Sequence, residues 1–177
     1  DGNLDLFQVS NNRFSLFQNG GDETFTNVSS TNLTGAPDHM NESSAVFLDY
    51  NNDGNLDLVV MGNPGTTQTI VFKNSGAPDY ILTPDTENTL VNLRSGKDEN
   101  AHRLMSAVDY NLDGWTDLFM EGWSDDLGTR QVALYKNNEG LLERELTAVD
   151  GTADFDSLSG GSLHTGDVNN DGWVDMI

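Results

Sequence analysis

Three stretches of the chain set oxygen-bearing side chains at identical intervals. Asp49-Tyr-Asn51-Asn-Asp53-Gly54-Asn55-Leu-Asp57 recurs as Asp109-Tyr-Asn111-Leu-Asp113-Gly114-Trp115-Thr-Asp117, and again as Asp167-Val-Asn169-Asn-Asp171-Gly172-Trp173-Val-Asp175. The chain opens on the tail of a fourth copy, Asp1-Gly-Asn3-Leu-Asp5. Positions 1, 3 and 5 of each loop place three side-chain oxygens around one point. The Gly at position 6 permits the sharp turn, and position 7 (Asn3, Asn55, Trp115 or Trp173) offers its backbone carbonyl. Asp at position 9 closes the shell. Five or more hard oxygen donors, with no nitrogen or sulfur, suit Ca²⁺ better than a transition metal, and Mg²⁺ would demand a tighter octahedron and keep its waters. The expected cofactor is therefore Ca²⁺, about three ions, one per complete loop. Asp-Gly and Asn-Asp pairs also make simple hairpin turns. One copy would leave the two readings even, whereas three full copies with every ligand position filled favour the metal.

The loops must be positioned by the segments around them. Aligned on their Asp-Gly pairs, the copies lie 52, 60 and 58 residues apart. A second landmark keeps the same phase: Leu16-Phe17-Gln18-Asn19, Val71-Phe72-Lys73-Asn74 and Leu134-Tyr135-Lys136-Asn137. Two landmarks with one period define a repeat array. The chain reads as a single segment, 1–177, with repeats at 1–48, 49–108 and 109–166 and a further one starting at 167–177. Short apolar runs flank each loop, such as Ala45 to Leu48 before and Leu58 to Met61 after, and they read as strands. Position 12 holds Val60 and Met120 where an EF-hand needs Glu, and strand flanks also exclude that helical motif. A third strand is expected at Thr69 to Lys73 and Gln131 to Lys136, and a weaker fourth at Thr24 to Val28, Tyr80 to Thr83 and Leu142 to Leu146. The fold class is all-β. Four short antiparallel strands per unit is the size of one β-propeller blade, and about three blades fit in this length.

Composition narrows the functions. The chain carries 29 Asp and Glu against 8 Lys and Arg, a formal charge of -21. Such a surface argues against nucleic acid or an anionic membrane as partner. There is no cysteine, hence no disulfide, zinc-thiolate or cysteine nucleophile. No apolar run approaches the roughly 20 residues that cross a bilayer. Catalysis finds little support: His39, His102 and His164 share no repeat position, there is no G-x-S-x-G, and the best carboxylate pairs lie inside the loops.

The units resemble FG-GAP repeats, the VCBS-type blades of integrin-α-like β-propellers in secreted proteins. Phe47-Leu-Asp49 through Asp57-Leu-Val-Val-Met61-Gly62-Asn-Pro64 is similar to that family's calcium hairpin, and Leu16-Phe17-Gln-Asn19 through Phe25-Thr-Asn-Val28 to the third and fourth strands of its bacterial members. The Gly-Ala-Pro element departs from the pattern, as Gly62-Asn-Pro64 and Gly122-Trp-Ser124, without touching the loops. The resemblance implies a propeller, here taken as a portion of a seven-bladed one, with calcium hairpins on one face and ligand-binding loops on the other. On that second face Trp123, Arg130, His102 and Arg103 are the candidates for contact with a glycan or a cell-surface protein. Because propellers close with about four to eight blades, the expected partners are the remaining blades or another copy of the chain. Loops of this kind bind calcium at roughly 10⁻⁴ to 10⁻³ M in extracellular modules, so an extracellular, non-catalytic binding or adhesion module is expected. The alternatives are the propeller portion of a secreted polysaccharide-degrading enzyme and a structural spacer in a large surface protein.

Overall fold

The computed structural model describes residues 2–10, 13–36, 44–61, 69–90, 93, 104–124, 129–145 and 164–176. These form antiparallel sheets in which neighbours along the chain pair in sequence order. The first sheet holds β1 (Leu6–Ser10), β2 (Arg13–Asn19) and β3 (Phe25–Asn27). The second holds β4 (Ala45–Leu48), β5 (Asp57–Val60), β6 (Ile70–Asn74) and β7 (Leu82–Asp85). The third repeats this order with β8 (Leu104–Val108), β9 (Asp117–Ser124), β10 (Thr129–Asn138) and β11 (Leu141–Glu145). A last hairpin joins β12 (Thr165–Gly166) to β13 (Asp175–Met176).

The expected four-stranded unit is therefore present twice in full, and β1 to β3 match the last three strands of it. Each strand falls within a few residues of its expectation, except that β9 and β10 run longer, through Ser124 and from Thr129. The one helix among the described residues, α1 (Ser29–Asn32), is a single turn after β3.

The pattern of β5 explains how the sheets stack. Its residues Asp57 to Val60 are all buried, because the second sheet lies between the other two. Successive side chains on a strand point to opposite faces. Leu58 and Val60 accordingly enter a core with Leu16, Leu33, Phe72 and Leu82, toward the first sheet. Val59 and Met61 enter the other core with Leu48, Val71, Leu118, Met120, Ala133 and Tyr135, toward the third. A continuous apolar run bounded by turns is what a strand covered on both faces requires. Phe72 is wholly buried in the first core. Phe72→Ala should cost about 3–5 kcal/mol, read as a fall in the urea midpoint at unchanged slope.

The connections between sheets follow one plan. After β3 the chain turns through α1, and Thr34 N–H donates to the Leu82 carbonyl of β7 at 3.0 Å, beside a parallel bridge between Leu33 and Leu82. After β7 the chain meets the third sheet's outer strand, where Leu142 N–H donates to Asn88 Oδ1 at 2.7 Å. Asn88 also donates to the Gly140 carbonyl and to Asp85 Oδ2, which accepts from the Tyr50 hydroxyl at 2.8 Å as well. Burial opposes the charge on Asp85, but the Asn88 amide, the Glu87 N–H and the Tyr50 hydroxyl outweigh it and hold its carboxyl below the ordinary value. A depressed carboxyl contributes stability above its unfolded pKa of about 3.9 and loses it as pH falls through the folded value. Asp85→Ala leaves two buried donors unanswered and should cost about 2–4 kcal/mol at pH 7. Its loss should shrink below pH 4, a comparison that two acid-denaturation curves would make.

Candidate functional site

The repeated loops are turns held by their own acids. In the first complete copy, Asp49 Oδ1 accepts from Asp53 N–H at 3.1 Å and Oδ2 from Gly54 N–H at 2.9 Å. Asn51 Oδ1 accepts from Asp53 N–H at 3.0 Å, and Asp53 Oδ1 from Asn55 N–H at 2.9 Å. The second copy has the same set on Asp109, Asn111 and Asp113, with Trp115 N–H at 3.0 Å. The third has it on Asp167, Asn169 and Asp171, with Trp173 N–H at 2.9 Å. Gly54, Gly114 and Gly172 sit at φ of 84°, 88° and 90°, the left-handed region that a Cβ disfavours. Asn52, Leu112 and Asn170 share position 4 with φ between 54° and 60°.

Position 9 does a second job. Asp57 and Asp117 are wholly buried. Asp57 Oδ2 accepts from Tyr50 N–H at 3.3 Å and Oδ1 from Asn74 N–H at 2.7 Å. Asp117 repeats both bonds, with Tyr110 at 3.0 Å and Asn137 at 2.7 Å. Asp175 accepts from Val168 N–H at 3.0 Å, and Asp5 from Asn19 N–H at 2.9 Å. The carboxylate thus ties its own loop to the third strand of the sheet.

The partner of that tie is the residue sequence reasoning missed. Asn19, Asn74 and Asn137 mark the phase of the repeat, and each also uses its side chain. Their amides donate to the position 8 carbonyls of Leu4, Leu56 and Thr116 at 3.1, 2.9 and 2.9 Å. Their Oδ1 atoms accept from Gly21, Gly76 and Gly140 N–H. The signal was in the sequence: an invariant Asn, in phase with the loop and closely followed by Gly.

Burial pushes the Asp57 carboxyl up to about 6 against the two backbone N–H bonds, and the charges that add to the rise are those of Asp53 and Asp49. Asp117 is raised for the same reasons, with Asp113 and Asp109 as neighbours. Asp53 goes the other way: burial opposes its charge, but the Asn55 N–H, the Asn55 and Asn51 amides and Lys73 outweigh it. Lys136 Nζ stands 3.7 Å from Asp113 Oδ2.

Among the described residues no group of three or more His, Asp or Glu side chains stands together as a ready-made metal cage. The donor set nevertheless fits a hard divalent cation. Each loop gathers carboxylates and an amide oxygen without nitrogen or sulfur ligands, and each carboxylate oxygen that accepts one N–H bond keeps a second acceptor site. The residues that would hold the ion are Asp49, Asn51, Asp53, the Asn55 carbonyl and Asp57 in the first complete loop, and their counterparts in the next two.

Other sequence candidates fall in different places. Asn3 and Asn55, at position 7, pack their amides against Gly21 and Gly76, where an added Cβ would lie 2.8 to 3.0 Å from the amide nitrogen. Trp115 is half-buried and Trp173 exposed. Trp123 of β9 and Arg130 of β10 are direct partners in the strand register, which brings these two positions together on the third sheet. Asp1, His102 and Arg103 lie outside the described residues.

Residues 1–60 match the family model of the FG-GAP-like repeat, so this stretch carries such a repeat. The three- and four-stranded antiparallel sheets have the architecture of β-propeller blades. Searches of the curated proteins and of the solved structures found no match. Among the described residues no helix is long and apolar enough to cross a membrane.

Proposed function

We propose that the chain is a calcium-stabilised, extracellular propeller segment that binds a glycan or a protein and does not itself catalyse a reaction. The observation that carries this reading is the threefold repetition of one acid-lined loop with one hydrogen-bond set. A turn needs no more than one acid at its first position, whereas four side-chain donors in every copy suit an ion. The electrostatics agree. Asp57 and Asp117 are buried among like charges, and a divalent cation would relieve that repulsion. When bound, calcium supplies charge neutralisation and cross-linking of the loop, so binding free energy becomes folding free energy. The residues do the rest: Asp49, Asp109 and Asp167 hold the turn, and Asp57 and Asp117 anchor it to β6 and β10.

The binding face follows from the same blade plan. The loops join the first and second strands of a sheet, whereas Trp123 and Arg130 stand at the other end of β9 and β10. A tryptophan and an arginine at paired register positions are residue types that suit a sugar or a protein carboxylate. Screening the full chain against immobilised glycans and candidate cell-surface proteins in millimolar calcium tests this. Binding that falls at least tenfold in Trp123→Ala or Arg130→Ala is expected, while binding unchanged in both variants removes that face from consideration.

A further inference from the structure

Two of the three loops are joined to each other, and the join is made by side chains that are not ligands. Asn137 is wholly buried. Its amide donates to the Thr116 carbonyl of its own loop and, at 2.7 Å, to the Tyr50 carbonyl at position 2 of the preceding loop. Asn52, at position 4 of that preceding loop, donates to the Gly114 carbonyl at 3.1 Å. Gly140, in the turn that Asn137 holds, approaches Asn51 closely enough that a Cβ there would lie 3.8 Å from its Cα. Loop 49–57 therefore rests on loop 109–117 at position 4, and on Asn137 and the turn that it holds at positions 2 and 3. The next junction differs: position 4 of the second loop is Leu112, exposed and without a side-chain donor. The third sheet meets the last hairpin instead through Ser106 and Thr165 hydroxyls, 3.4 Å apart and on strands rather than loops.

Resting on the calcium reading above, we propose that loops 49–57 and 109–117 form one two-ion unit, with Asn52 and Asn137 as positioning residues that make each loop's affinity depend on the other's occupancy. Capturing an ion requires a loop to surrender conformational freedom. Once loop 109–117 is fixed by its ion, the Gly114 and Thr116 carbonyls are fixed too. Asn52 and the Tyr50 carbonyl then meet a settled partner, and loop 49–57 has less order left to lose. The coupling is reciprocal. Leu112 at position 4 gives loop 167–175 no counterpart of the Asn52 bond, so its ion should leave loop 49–57 little affected.

The Gly54, Gly114 and Gly172 amides each bond to the position 1 carboxylate of their own loop, at 2.9, 2.8 and 2.8 Å. Their NMR shifts report each loop separately as calcium is added to the full chain. With Asp113→Ala disabling the second loop, the midpoint for Gly54 should move to about tenfold higher calcium. With Asp171→Ala disabling the third, it should stay within twofold. Asn52→Leu copies the residue at Leu112 on an exposed site. In that background Gly54 should still respond to calcium, but Asp113→Ala should change its midpoint by a smaller factor than in the native chain. A Gly54 midpoint that stays within twofold in Asp113→Ala alone overturns the coupling and leaves the calcium reading intact. An equal effect from Asp171→Ala overturns the pairing. If no glycine amide responds up to 10 mM calcium, the calcium reading falls and the coupling falls with it.

Discussion

Adding 10 mM calcium to the chelator-stripped chain should raise its melting temperature by about 20 °C. The figure follows from mass action. At a dissociation constant of about 10⁻⁴ M, that concentration stabilises each loop by about 2.7 kcal/mol, hence about 8 kcal/mol for three loops counted separately. On a chain of this length each kcal/mol moves the midpoint by about 2–4 °C. Asp113→Ala should forfeit one loop's share, about 7 °C in calcium, and far less in chelator. The pH dependence carries a further check. Asp57 and Asp117 are raised above their unfolded values, Asp57 to about 6. A raised carboxyl contributes stability that is fully present below the unfolded pKa and is lost as pH rises through the folded one. The metal-free chain should therefore be more stable at pH 5 than at pH 7. Calcium needs the carboxylates ionised, so its own stabilisation should grow over the same interval. Identical melts with calcium and with chelator at pH 7 would show that the loops are turns and nothing more.

How much of this was legible in the residues depends on the distance between the partners. The blade could be read because its signals are local: apolar runs of four or five residues, ended by turns and repeated in phase. The loop set could be read for the same reason, since Asp49, Asn51 and Asp53 act within five residues of one another. What the sequence alone did not reveal is the longer reach. Asp57 stood as the ninth position of a loop, and nothing local tells that its carboxylate is buried and holds the Asn74 amide 17 residues away. The burial of β5 on both faces depends on two other sheets. Asn137 to Tyr50 spans 87 residues and two sheets, and only the stacking of blades creates it. The strand ends were missed at β9 and β10, where pairing continues out to Ser124 and Thr129 across a stretch that reads as a Gly-rich turn.

Asn137→Ala should cost the chain about 4 kcal/mol; Asn74 occupies the same position of the repeat. Both side chains hold a position 8 carbonyl and accept from a following glycine. Asn137 also holds the Tyr50 carbonyl of the neighbouring sheet and is wholly buried. A net hydrogen bond contributes about 1 kcal/mol, and a buried group left unanswered costs about 1–3 kcal/mol more. On those terms the loss corresponds to about 12 °C in melting temperature. Asn137→Asp makes the sharper test. It keeps the size and the acceptor for Gly140 N–H, but turns an oxygen toward two carbonyls that need a donor. If shape alone mattered, the aspartate would behave as the native residue does; if the amide is what joins the blades, it should be at least as damaging as alanine at pH 7. A loss of about 2 kcal/mol or less from Asn137→Ala would mean that the inter-sheet bond adds nothing.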